Sequence, residues 1–189
     1  MSNKYYQTRD SILEYIDMAR GYDGRYIISR LKGYLSLKSE VLEIGSGPGT
    51  DWNILNEYYT ITGSDNSKEF LKHLTENNPE GKFIYLDAVS LSTKLKFDAI
   101  YSNKVLHHLT DEELETSIAR QYEILNSRGV ICHSFWAGEG SETHNGIFLN
   151  HQTIKRLRGF FAQDFEIQAN EHYKEFEPGD SVFLTGIKK

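Results

Sequence analysis

Between Val41 and Ala88 the chain places carboxylates and glycines where apolar runs end. Glu43 sits inside the run Val41-Leu42-Glu43-Ile44. Gly45, Gly47 and Gly49 follow at alternate positions around Ser46 and Pro48, and Thr50-Asp51 opens the next pattern. Glycines suit such a turn because they accept positive φ and let a ligand approach the backbone within van der Waals contact. Asp65 ends a later apolar run, with the reach to accept both hydroxyls of a ribose, and Asp87 could accept from an exocyclic amine. This is nucleoside chemistry, and two ligand types compete. A dinucleotide site reads Gly-x-Gly-x-x-Gly, with a pyrophosphate on the helix N-terminus. Here Thr50 holds the last position, glycine comes one residue early, and the charge of Asp51 would oppose a phosphate. A ligand without phosphate fits better.

These residues need strands that end at one edge of a sheet. Apolar runs predict strands over Glu40 to Ile44, Thr60 to Ser64, Lys82 to Leu86, Phe97 to Ser102 and Val130 to Phe135. Helices are expected over Asp51 to Tyr58, Ser67 to Glu76 and Asp111 to Leu125, the last capped by Thr110 or Asp111. Two helices precede the first strand, one carrying Ile12, Ile16 and Ala19 on one face and the other Ile27 to Leu35, with Gly21 to Gly24 as the break. Such alternation forces parallel strands, so the fold class is α/β, a doubly wound and mostly parallel sheet with helices on both faces. A helix from Gln152 to Phe161 then precedes Phe165 to Ala169 and Val182 to Ile187, which should close one edge as an antiparallel hairpin.

The 189 residues suggest one domain, with 1–38 as a helical cap, 39–136 as the binding core and 137–189 as a substrate loop and closing hairpin. A formal charge of −6 argues against a surface that neutralises nucleic acid, so a small-molecule partner is expected and no DNA. Cys132 is the only cysteine, which excludes an intrachain disulfide and a cysteine-based zinc site, and no metal is expected. No run nears the roughly 20 apolar residues that cross a bilayer. The expectation is a cytoplasmic protein without membrane contact; oligomeric state is not legible.

Glu43-x-Gly45-x-Gly47-x-Gly49, Gly63-x-Asp65-x-Ser67, Asp87, and Phe97-Asp98-Ala99-Ile100 leading to Asn103-Lys104-Val105-Leu106-His107-His108-Leu109 resemble the successive motifs of class I S-adenosylmethionine-dependent methyltransferases. The resemblance spans roughly Val41 to Trp136 and implies a Rossmann-like fold, an S-adenosylmethionine cofactor and an S-adenosylhomocysteine product. It implies that the turn from Gly45 through Ser46 and Gly47 to Gly49 packs on the methionine portion, with Glu43 on its amino group. Asp65 would take the ribose hydroxyls, Asn66 would lie beside the adenine, Asp87 and Ala88 would face the adenine edge, and Asn103 would border the sulfonium through its backbone. The turn before the fifth strand departs from the commonest pattern, being Asn126-Ser127-Arg128-Gly129. The fourth strand also lacks the Asn/Asp-Pro-Pro-aromatic motif of amino-methylating nucleic-acid enzymes, which counts against a DNA base.

Methyl transfer needs two partners held close in a dry pocket, and a base only when the acceptor must lose a proton. His107 or His108 is the candidate base, against the alternative that the pair caps or packs a helix start. Tyr22, in the break between the first helices, Trp136, at a strand end, and His144, in a polar loop from Gly138 to Gly146, are candidate acceptor contacts. Tyr5, Tyr6, Tyr15 and Tyr26 read as amphipathic rings covering the sheet. The expected activity is transfer to an O, N or C nucleophile of a small acceptor. Alternatives are a protein or RNA methyltransferase, a non-catalytic cofactor-binding module, or an oxidoreductase on the same layered sheet.

Overall fold

The computed structural model describes residues 4–144 and 146–189. Its main sheet has seven strands in the order β3-β2-β1-β4-β5-β9-β8. In chain order these are β1 (Glu40–Ile44), β2 (Thr60–Asp65), β3 (Lys82–Tyr85), β4 (Phe97–Asn103), β5 (Leu125–Trp136), β8 (Phe165–Tyr173) and β9 (Ser181–Lys188). β1 to β5 pair in parallel, while β9 runs antiparallel to both β5 and β8. The C-terminal hairpin thus closes the edge, as its short polar connection requires.

The helices are α1 (Arg9–Met18), α2 (Arg25–Leu31), α3 (Thr50–Asn56), α4 (Lys68–Asn77), α5 (Asp111–Ile124) and α6 (Ile154–Phe161). Side chains alternate along each strand, so neighbouring residues feed opposite faces. Val41, Ala99, Tyr101, Val130 and Cys132 pack with Ile27, Leu31 and Leu55 of α2 and α3. Leu42, Ile100 and Ile131 pack with Leu114, Ile118, Leu157 and Phe161 of α5 and α6. α5 begins with a capping box, Thr110 accepting from the Glu113 N–H while the Glu113 carboxylate accepts from the Thr110 N–H.

Two local readings need correction, and one turn holds a left-handed residue that is not glycine. The apolar spacing that carries the second helix to Leu35 stops at Leu31, where Lys32 caps the turn. The left-handed residue in the turn before β5's paired run is Arg128 (φ 60), with Gly129 required for another reason: a Cβ there would meet Leu125 Cδ2 at 2.9 Å. The stretch read as a polar loop forms a hairpin of β6 (Ser141–His144) and β7 (Ile147–Asn150). Its register is set from outside, since Asn150 donates to the Leu109 carbonyl (3.0 Å) and the Asp111 carboxylate (2.9 Å).

Candidate active site

β1 and β4 are neighbours although four elements separate them in sequence, so strand order reverses between them and a crevice opens at their carboxyl ends. A cavity of about 490 Å³ lies there. Its floor is the turn after β1. Gly45, Gly47 and Gly49 all adopt positive φ. A Cβ at Gly45 would strike Val105 at 2.5 Å, whereas one at Gly47 would meet only the Tyr15 ring at 4.0 Å. The first glycine therefore permits packing of the β4 tip, and the second leaves backbone bare to the cavity.

Three carboxylates surround this turn, all buried. Glu43 accepts from Ser46 Oγ at 2.6 Å; burial, with Asp51 close by, pushes its carboxyl up to about 8. Asp51, in the first turn of α3, accepts from the Gly24 N–H (2.6 Å), the Tyr101 hydroxyl (2.7 Å) and Asn103 Nδ2 (3.0 Å), yet burial still raises its pKa. Asp65 accepts from the N–H of Gly47 (3.0 Å) and of Ser67 (2.8 Å); burial outweighs these bonds and lifts it to about 6. None of the three forms an ion pair among the described residues.

Of the residues singled out from sequence, Glu43, Gly45, Ser46, Gly47, Asp65, Asn66, Asp87, Ala88 and Asn103 all face this cavity, as do His107, His108, Tyr22 and Trp136. Gly49 does not; it caps α3, where a Cβ would sit 2.6 Å from Leu74. The Asn103 side chain is committed to Asp51 and Ser134, which leaves its backbone to the cavity. One oxygen of Asp87 caps its own loop through the N–H groups of Val89 and Ser90. His144 ends β6, and its side chain lies outside the described residues.

Tyr6 and Tyr15 also line the cavity, which corrects their reading as sheet cover. Their rings meet each other (5.3 Å) and Phe70 of α4 (6.0 and 5.8 Å). The Tyr6 carbonyl accepts from Ser67 Oγ, which pins the N-terminal segment over the tip of β2. Asp51, Lys104, Glu175 and Phe176 complete the wall. The available signal for Tyr6 and Tyr15 was the density of tyrosine before β1; for Glu175 and Phe176 none existed, because their place depends on the β8–β9 connection.

A chain of buried hydrogen bonds reaches the cavity from the sheet centre. Burial pushes the His133 imidazole down to about 3, so it is neutral. Ser102 Oγ lies 2.8 Å from Nδ1 and Gln121 Oε1 lies 2.7 Å from Nε2. Gln121 Nε2 donates to Ser117 Oγ (3.2 Å), which donates to the Ala88 carbonyl (2.7 Å). The Gln121 amide oxygen can only accept, so His133 carries its hydrogen on Nε2 and every bond in the chain runs toward Ala88.

A doubly wound sheet with a glycine turn, a carboxylate at the second strand tip and an antiparallel closing hairpin defines the Rossmann-like methyltransferase fold. Residues 41–129 match the family described as methyltransferase domain. Over those residues, and in the order of its motifs and strands, the chain is similar to the class I S-adenosylmethionine-dependent methyltransferases. It is 31% identical over 145 residues to an uncharacterized methyltransferase of Bacillus cytotoxicus, covering 76% of this chain and 66% of that protein. A second, of Bacillus mycoides, is 34% identical over 147 residues, with 76% and 66% covered. This chain thus spans just under two thirds of the length of these relatives. Among solved structures, the 1,6-didemethyltoxoflavin-N1-methyltransferase of Burkholderia thailandensis, with bound 1,6-didemethyltoxoflavin and S-adenosylhomocysteine, superposes with a TM-score of 0.80 at 19% identity, over 95% of this chain and 84% of that one. An amino pentose methyltransferase of Micromonospora echinaspora, bound to S-adenosylmethionine, gives 0.76 at 15% identity over 94% and 97%. At these identities the likeness concerns the fold. Among the described residues no helix is long and apolar enough to cross a membrane.

Proposed function

We propose that the protein is an S-adenosylmethionine-dependent methyltransferase moving a methyl group to an oxygen, nitrogen or carbon nucleophile of a small-molecule acceptor. The observation that carries this is the set of buried, unpaired carboxylates, Glu43, Asp51 and Asp65, around one bare glycine turn. Buried carboxylates without a counter-charge are costly, and a ligand that brings positive charge and hydroxyl donors relieves that cost. A pyrophosphate would add to it. The residues present therefore fit S-adenosylmethionine and not a dinucleotide.

Glu43 would hold the amino group, Asp65 the ribose hydroxyls, Asn66, Asp87 and Ala88 the adenine, and the Asn103 backbone the sulfur end. When bound, the cofactor supplies an activated methyl group on positively charged sulfur. The chain supplies the rest: Tyr6, Tyr15 and Phe70 exclude water on one side, and the strand tips fix the geometry of approach. The small heterocycle named for the Burkholderia structure supports an acceptor of that scale.

Calorimetric titration with S-adenosylmethionine, S-adenosylhomocysteine and NADH tests the assignment. The first two are expected to bind saturably and the third not at all; selective binding of NADH would overturn it. A smaller effect is expected from Ser117→Ala, which releases the Ala88 carbonyl from its donor. Loss of one neutral hydrogen bond, about 1 kcal/mol, should weaken S-adenosylhomocysteine binding about fivefold. Unchanged affinity would show that the loop after β3 holds its shape without α5.

A further inference from the structure

The cavity has two unlike halves. Around Glu43 and Asp65 it is acidic; beyond Asn103 its walls are Tyr22, Trp136, Leu149 and Phe176, with His107 and His108 among them. Trp136 lies flat on Phe176 (5.5 Å, 21°), and Tyr22 meets Phe176 edge-on at 4.7 Å. Packed on one another, these rings form a single aromatic wall of a slot in the cavity.

The polar groups in the slot are imidazoles 4.2 Å apart. His108 Nδ1 lies 2.8 Å from the Phe148 carbonyl, which can only accept, so this nitrogen carries the hydrogen. Nε2 keeps its lone pair and has no hydrogen-bond partner among the described residues. His107 is 2% exposed, and its Nδ1 is buried without a partner.

Charge narrows the ligand further. The ammonium of Lys104 is already spent, on the Phe135 carbonyl (3.0 Å), on Ser181 Oγ and on the face of Trp136, 3.4 Å from the ring centroid. Among the described residues an anionic acceptor finds no free cation on this wall and meets the carboxylate of Glu175 there. A protonated amine has no lone pair to attack with. Burial lowers the affinity of both imidazoles for a proton, His107 further because His108, Lys104 and His151 are near, so neither frees an acceptor before attack, which an ammonium requires and a hydroxyl, with lone pairs of its own, does not.

Resting on the methyltransferase reading, we infer that the acceptor is an uncharged, flat, hydroxylated ring compound, a phenol. Its ring lies along the wall of Trp136 and Phe176, and its O–H donates to His108 Nε2. In the balanced step an oxygen lone pair bonds the methyl carbon as the hydroxyl proton passes to Nε2. The carbon–sulfur pair stays with sulfur, leaving a neutral thioether.

Three naphthalenes of one size and differing charge are the probes: 2-naphthol, 2-naphthoate and 2-naphthylmethylamine. Binding is read from quenching of tryptophan fluorescence with S-adenosylhomocysteine present, and transfer from product mass with S-adenosylmethionine. The naphthol should bind at least about tenfold more tightly than either charged compound and be the one methylated. His108→Gln should lower kcat about 100-fold with KM nearly unchanged. Equal or tighter binding of a charged naphthalene, or no binding of the naphthol, overturns the acceptor class. A bound naphthol left unmethylated, or full turnover by His108→Gln, overturns the role of His108. Binding of S-adenosylhomocysteine, measured first, separates the two levels: its failure removes the methyltransferase reading and this one with it, whereas its success beside a charged preference removes only this one.

Discussion

Replacing Asp65 with asparagine is expected to weaken S-adenosylhomocysteine binding about a thousandfold while leaving the protein folded. The carboxylate accepts from Gly47 and Ser67 through different oxygens, so it shapes the glycine turn and the start of α4 together. An asparagine of the same shape must turn its NH2 group toward one of those N–H donors, where two donors face each other. Charge-assisted hydrogen bonds of this kind contribute about 1.5–3 kcal/mol each, and a loss near 4 kcal/mol corresponds to about three decades of affinity. The rest of the sheet does not depend on this contact, so circular dichroism should match the parent. Calorimetry decides the matter: an affinity within a few-fold of the parent would mean that ribose is not held at the β2 tip.

Binding of S-adenosylmethionine should also strengthen with pH, about tenfold per unit between roughly pH 6 and 8, and level off above. In the free protein Glu43 is held up to about 8 by burial, then by the nearby Asp51, with Asp65 adding to the effect and Ser46 opposing it. Below that value it is mostly protonated, and a positively charged ligand favours the ionised form, so binding expels a proton. Titrations in buffers of different ionisation enthalpy should detect that release, and Glu43→Gln should abolish it. Folding of the free protein runs the other way. Because the folded pKa exceeds the unfolded value near 4.5, the contribution of Glu43 to stability is complete below that value and is lost as pH rises through about 8. The melting temperature of ligand-free protein should therefore fall across this window, and Glu43→Gln should flatten the slope. A ligand affinity independent of pH would show that Glu43 does not face the ligand's charge.

Several readings carried from sequence to structure because their cause is local. β1 keeps the bounds Glu40 to Ile44, since an apolar run between Ser39 and the glycine turn admits no other register. α4 starts at Lys68 just after its cap Ser67, whose side chain accepts from the Phe70 N–H. The antiparallel pairing of β8 and β9 followed from two apolar runs and a turn. Readings failed where a distant partner decides. Residues of β6 and β7 form a hairpin because Asn150 is tied to Leu109 and Asp111, and the Phe148 carbonyl to His108, across some forty positions. Tyr6 and Tyr15 became cavity walls because Phe70 of α4 offers a ring to pack on.

The sequence by itself determined the sheet and the acidic half of the cavity, because Glu43, Gly45 and Gly47 lie on one strand-turn-helix unit and Asp65 and Asp87 end the next two strand runs. Only the tertiary structure decided the aromatic half. Tyr22, His108, Trp136, Leu149 and Phe176 come from five separate segments, and no periodicity or spacing links them. Their meeting depends on how the N-terminal helices, the β6–β7 hairpin and the β8–β9 connection pack over the strand tips.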